Sequence, residues 1–251
     1  MRSDDAARSV IRMRTVIAGG HGQIALRLTR LLAERGDEAV GLVRNPEHTA
    51  DVEAAGGRAV VLDLEHSSAG ELAAVLDGAD AVVFAAGSGP GSSPERKDTV
   101  DRAGAALLAD AAEQAGVTRY VLVSSVGADR ADEAGDDAMG PYLRAKAASE
   151  ADLRSRPLDW TILRPGRLTD EPGTGTVRLE PSLGAAATEG SVTRDDVART
   201  IVALLDEAAV VGLTLELLNG DDLVDAAVQA AGRGEPGDGS VDALEGEAGR
   251  V

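Results

Sequence analysis

The chain has 251 residues, 43% of them hydrophobic, enough apolar side chain for one large α/β domain and too much for a disordered protein. Its 43 Asp and Glu against 25 Lys and Arg give a formal net charge of −18, and its aromatic residues are four, Phe84, Tyr120, Tyr142 and Trp160. That charge opposes a phosphate polyanion and those few rings offer little to stack on bases, so no nucleic acid partner is expected. The absence of cysteine excludes disulfides, thiolate zinc sites, iron–sulfur clusters and a cysteine nucleophile, and makes the reducing cytoplasm the expected location.

The lysines are Lys97 and Lys146, with arginine supplying the remaining basic residues. This bias fits GC-rich codon usage better than a binding surface, and the acidity, spread along the chain, reads as solvated surface. No apolar run approaches the ~18 residues that span a bilayer, and the first residues, MRSDDAARSVIRM, lack a signal-peptide core. No membrane is expected. Met13 opens the run MRTVIAGG, a possible true start, and residues 1–12 read as a flexible extension.

From Thr15 strand and helix alternate. Strands are expected at 15–18, 39–43, 59–62, 81–86, 120–124 and 160–163. The first helix carries Ile24, Leu28, Leu31 and Leu32 on one face and stops at Gly36; others are expected at 47–55, 68–76, 95–115 and 142–155. This spacing predicts right-handed crossovers and an α/β fold of Rossmann type, a doubly wound parallel sheet flanked by helices. Beyond Arg164, prolines and glycines mark loops, with a short strand at 176–179. Thr193 and Asp196 then form a capping pair before a further helix, and a last strand lies at 213–217. The expectation is a single domain over 13–231 with a small C-terminal substrate-side portion, followed by a disordered acidic tail at 232–251.

The turn after the first strand reads Gly19-Gly20-His21-Gly22-Gln23-Ile24-Ala25. Gly19, Gly22 and Ala25 have the G-x-x-G-x-x-A spacing that a dinucleotide fingerprint needs. A positive φ is allowed at the turn, no side chain blocks a pyrophosphate, and a small residue lets helix and strand pack. The helix N-terminus at Gln23 and Ile24 offers N–H groups to phosphate, and His21 reads as a loop residue beside it. Where an NAD site usually places a carboxylate after the second strand, this chain has Arg44. A guanidinium suits a 2′-phosphate, so NADP(H) is expected over NAD(H). Asp63 and Leu64 after the third strand, and Ala85-Ala86-Gly87 after the fourth, belong to the same cleft.

Tyr142-Leu143-Arg144-Ala145-Lys146 is a Y-x-x-x-K run on a helix entered at Pro141. The i, i+4 spacing sets phenol and ammonium on one face, where the positive charge favours the phenolate. Such a tyrosine can exchange a proton with a carbonyl or alcohol while hydride moves at a nicotinamide. Ser124 and Ser125 end the fifth strand, where a hydroxyl could orient the substrate oxygen.

In this order GGHGQIALRL, LVRNP, VVFAAG, VLVSSVGA, YLRAK and LRPGRLTDEPGTG resemble the short-chain dehydrogenase/reductase superfamily. More narrowly they resemble its atypical NAD(P)H-binding branch, with biliverdin-reductase-B-like, NmrA-like and epimerase/dehydratase-type proteins. The resemblance spans roughly residues 13–230. It implies Ser125, or its neighbour Ser124, as the serine polarising the substrate oxygen, Tyr142 as general acid/base, and Lys146 as the residue that also holds the nicotinamide ribose. Asp101 stands where the family usually has asparagine, which alters the charge beside the lysine. Pro165 and Gly166 match the loop beside the nicotinamide.

His21, His48 and His66 show no ligand spacing, and no metal site is expected. The acidic pairs Asp136-Asp137, Asp195-Asp196 and Asp221-Asp222 read as helix caps or solvated charge. The function expected is an NADP(H)-dependent oxidoreductase or epimerase/dehydratase-like enzyme acting on a small carbonyl or hydroxyl compound. Residues 129–140 and 168–190 would form its substrate side. Two alternatives stand beside it: an NAD(P)H-sensing regulatory protein without catalysis, and a flavin- or biliverdin-type reductase.

Overall fold

Short runs of Val, Ile, Leu and Ala form the strands of the computed structural model, which describes residues 13–87, 89, 93–135 and 139–235. Strands β1 (Arg14–Ala18), β2 (Glu38–Val43), β3 (Arg58–Val61), β4 (Ala81–Phe84), β5 (Arg119–Val123) and β6 (Asp159–Pro165) pair in parallel in the order β3-β2-β1-β4-β5-β6. The reversal of strand order at β1 and β4 is the switch point at which doubly wound folds bind their ligands. β10 (Thr214–Asn219) extends the sheet in parallel beside β6, then β8 (Thr176–Glu180) antiparallel and β11 (Asp222–Leu223) at the edge. β7 (Arg167–Thr169) and β9 (Ser191–Thr193) form a separate parallel pair. The segment 168–190, expected to serve the substrate side, is therefore divided, with β8 built into the main sheet.

The period of two along each strand sends alternate side chains to two cores. Ile17, Val83, Val121 and Leu163 face α1 (Gln23–Arg35), α8 (Arg194–Asp206) and α9 (Val224–Arg233). Val16, Phe84, Leu122 and Ile162 face α3 (Ala69–Leu76), α5 (Gly104–Ala115) and α6 (Met139–Arg154). α2 (Thr49–Ala54) packs beside β3, and α7 (Ala185–Glu189) beside β10. Tyr120, half of the tyrosine complement, is fully buried and donates to the Ala105 carbonyl at 3.1 Å. Burial holds its phenol far above the ordinary tyrosine range.

Local signals act as expected at several helix ends. α1 stops at Gly36 with φ +88, and Thr193 caps α8 by accepting from the Asp196 N–H at 3.0 Å. Asp196 is more than a solvated charge. It is fully buried and accepts from Thr174 N–H (2.9 Å) and Gly175 N–H (2.8 Å), while Asp195 accepts from Gly173 N–H (3.1 Å), so the pair fastens the loop before β8.

The helix expected over 95–115 is interrupted. α4 (Pro94–Lys97) passes into a π-helical stretch, Asp98–Ala103, before α5. α9 runs on to Arg233, so the domain end expected at 231 falls inside its last turn. No helix among the described residues is long and apolar enough to cross a membrane. Residues 1–12, Asp136, Asp137 and residues 236–251, the greater part of the expected tail, lie outside the described residues.

Candidate active site

The glycine turn is built by backbone proximity. Gly19 has φ +81, and a Cβ there would lie 2.6 Å from the Ala86 Cα, so the turn presses against the end of β4. A Cβ on Gly20 would lie 2.6 Å from the Gly41 Cα, and the Gly20 N–H donates to the Leu42 carbonyl at 2.8 Å. Gly20 therefore packs the turn on β2, and Gly19 and Gly22 line the cleft. Gly22 is the N-cap of α1 and has no side chain to cap it. Helical bonding starts with Leu26 N–H on the Gly22 carbonyl, which leaves the N–H groups of Gln23, Ile24 and Ala25 outside the ladder, and the first turn carries no acidic residue. A Gly19→Ala variant is expected to lose about 1–3 kcal/mol from strain at positive φ and to bind nicotinamide cofactors more weakly. Urea unfolding and a fluorescence titration with NADPH check both.

The cleft encloses about 290 Å³ at the carboxyl ends of β1 to β4. His21, Arg44, Asp63, Leu64, Ala85, Ala86 and Gly87 of the expected set line it, joined by Leu42, Asn45, His48, Glu65, Arg96 and Val100, among others. Asp63 is engaged locally, accepting from the Glu65 N–H and from His66 Nδ1, both at 3.0 Å. Burial opposes its charge, but these bonds prevail and hold the carboxyl below its usual range. His21 and His48, 27 positions apart, stack with ring centroids 3.6 Å apart, and His21 Nε2 lies 2.7 Å from Asp51.

On the other side of Gly87 lies the Tyr142 and Lys146 pair. A Cβ on Gly87 would stand 3.4 Å from Asp101 Oδ1, and Asp101, fully buried in the π-helical stretch, lies 3.3 Å from Lys146 Nζ. Lys146 also donates to the Val123 carbonyl at 3.1 Å, and its Nζ sits 5.8 Å from the centroid of the Tyr142 ring. The structure thus brings Asp101, Lys146 and Tyr142 together, and joins them to the cleft through Gly87 and Val100. The π-helical stretch adds a residue to the turn and so changes the direction in which Asp101 faces, a feature common where helices serve sites.

The two serines, which follow the last residue of β5, part company. Ser124 faces α6 and donates to buried Glu150 at 2.5 Å, whereas Ser125 points away and donates to the Val126 carbonyl at 3.1 Å. Of the two, Ser125 has the hydroxyl that is not taken up by a charged group. Pro165 ends β6, its carbonyl accepting from Val126 N–H at 3.1 Å; Gly166 is a packing position, where a Cβ would lie 2.4 Å from Leu218 Cδ2.

Sequence reasoning did not single out Glu150. It is 1% exposed and binds Arg164 Nε (2.9 Å) and Nη2 (2.6 Å), Arg154 Nη2 (2.8 Å) and Ser124. Its position four residues after Lys146 on the same helical face was the available signal. Glu65 and Arg96 carried none, since they meet only in the tertiary structure.

A family model described as NAD(P)H-binding matches residues 19–208. The chain belongs to that NAD(P)H-binding family. A Bacillus subtilis (strain 168) protein named as an uncharacterized sugar epimerase, YhfK, is 38% identical over 218 residues, 86% of this chain and 99% of that one. A solved structure from Bacillus halodurans, assigned as an NAD-dependent epimerase/dehydratase, is 36% identical with a TM-score of 0.81, covering 86% of this chain and 99% of that one. The anaerobilin reductase ChuY of Escherichia coli O157:H7 has a TM-score of 0.69, covering 83% and 98%. At 24% identity the likeness to ChuY speaks for the fold alone.

Proposed function

We propose that this family member is an NADP(H)-dependent oxidoreductase or epimerase/dehydratase-like enzyme acting on a small carbonyl or hydroxyl compound. The observation that carries the reading is the continuity from the glycine-turn cleft, past Gly87, to Asp101, Lys146 and Tyr142. The volume of the cleft suits the adenosine end of a dinucleotide. The uncapped first turn of α1 would hold its pyrophosphate, and Lys146 its nicotinamide ribose. When bound, the nicotinamide supplies or takes up hydride. Tyr142 gives a proton to, or accepts one from, the substrate oxygen, and Ser125 orients that oxygen by hydrogen bonding. Asp101 and the Val123 carbonyl fix the Lys146 ammonium beneath the tyrosine ring. Arg44, at the end of β2, favours a 2′-phosphate over a free ribose hydroxyl.

A turnover assay with NADPH and with NADH across aldehydes, ketones, quinones, flavins and tetrapyrroles tests the reading. NADPH-dependent reduction of at least one carbonyl compound is expected. Cofactor binding without turnover of any compound would replace it by the reading of a nucleotide-sensing protein. One observation favours a second reading within the enzyme class, a reductase that needs no tyrosine acid. The Asp101 carboxylate offsets the lysine charge on which a tyrosine acid relies.

A further inference from the structure

Glu65 sets a carboxylate inside a cleft read as an anion site, held by two guanidiniums. Its Oε2 lies 3.3 Å from Arg44 Nη1 and 3.0 Å from Arg96 Nη2, and Thr99 Oγ1 donates to its Oε1 at 2.7 Å. The partners come from three places, the residue after β2, the last turn of α4 and the π-helical stretch, and converge on a side chain that is 18% exposed. Arg44 reaches Glu65 through one terminal nitrogen and remains 56% exposed, its guanidinium still open to the cleft. Asp63 lines the same cleft and is attracted by Arg44, so two carboxylates face the two guanidiniums, and a further anion gains the arginines by displacing Glu65 rather than by adding to it. A phosphate monoester has the charge to outcompete a carboxylate for planar, bidentate arginine contacts.

We propose that Glu65 occupies the seat of the cofactor's 2′-phosphate and thereby sets how strongly the protein prefers NADP(H) to NAD(H). The inference rests on the cofactor reading above and assigns the discrimination to Glu65 and Arg96 together with Arg44. With Glu65 in place, phosphate and carboxylate compete for Arg44 and Arg96, which weakens NADP(H) binding and eases its release. NAD(H), with a hydroxyl in place of the phosphate, does not compete with Glu65 and can donate to its carboxylate, a bond that the amide oxygen of a glutamine there would still accept.

Dissociation constants of NADPH and NADH, measured by fluorescence titration on the full chain and its variants, test this. Glu65→Gln keeps the side-chain volume and a hydrogen bond to Thr99 but removes the charge. It is expected to tighten NADPH by about tenfold and to change NADH by less than about twofold. Thr99→Val, which frees Glu65 from its hydroxyl partner, should shift the ratio in the same direction as measured by the change of each constant, because a loosened Glu65 yields its place more readily. Arg96→Ala is expected to weaken NADPH and to spare NADH. Weaker NADPH binding in Glu65→Gln, weaker NADH binding, or an unchanged ratio would each overturn the role of Glu65 while leaving the cofactor reading intact. Failure of the wild-type chain to bind either nucleotide would overturn the cofactor reading, and this inference with it.

Discussion

Tyr142→Phe is expected to lower turnover with a carbonyl substrate by about 10²–10⁴-fold, the usual contribution of a positioned general acid or base. Removing the hydroxyl leaves the ring in place over Lys146 Nζ, 5.8 Å away, so the dissociation constant for NADPH should change little. The loss should therefore appear in kcat rather than in cofactor binding. Steady-state kinetics with a parallel NADPH titration separate the two. Unchanged turnover would remove Tyr142 from the chemistry and move the protein to the class of reductase that takes its proton elsewhere. The pairing of Asp101 with Lys146 makes this the most informative single substitution.

Glu150→Ala is expected to cost about 3–5 kcal/mol of stability, because removing one partner of a buried ion pair strands the other. Arg164 is also buried. Burial opposes its charge, but the hydrogen bonds and charge of Glu150 outweigh that opposition and hold the guanidinium above its ordinary range. Without Glu150 it keeps the ion pair with Asp129, 3.5 Å away and 43% exposed, and the longer-range attraction of Glu216. For a chain of this size such a loss corresponds to a Tm lower by between about 6 and 20 °C. Combining Glu150→Ala with Arg164→Met should recover part of the loss, since the stranded charge is then gone. A loss below about 1 kcal/mol in Glu150→Ala alone would show that the network is not a stabilising element. The same network ties α6 to the ends of β5 and β6 through Ser124 and Arg164. It therefore fixes the helix that carries Tyr142 and Lys146.

The glycine turn was legible because its requirement is local. A positive φ at Gly19 and a bare N-cap at Gly22 are properties of a few consecutive residues. The same holds for the Thr193 cap and for the pairing of Tyr142 with Lys146, one helical turn apart. Strand ends were less legible, since Ala85 and Ala86 have the composition of a strand yet leave the ladder where the glycine turn presses against Ala86. The π-helical stretch could not be read from composition, because nothing in Asp98–Ala103 breaks a helix. Packing of that stretch against α6 accompanies it.

By itself, the sequence determined the doubly wound architecture and the place of the glycine turn. It also selected Asp101, Tyr142, Lys146 and Ser125 as the residues of interest. Alternating periodicity and turn chemistry act over a few residues, so they survive without three-dimensional context. The tertiary structure decided how these groups meet. It placed Asp101 directly on Lys146, turned Ser124 away to Glu150, stacked His21 on His48, and brought Glu65 between Arg44 and Arg96. Each of these contacts joins residues from different elements, and charge balance at a site depends on such distances rather than on the order of residues along the chain.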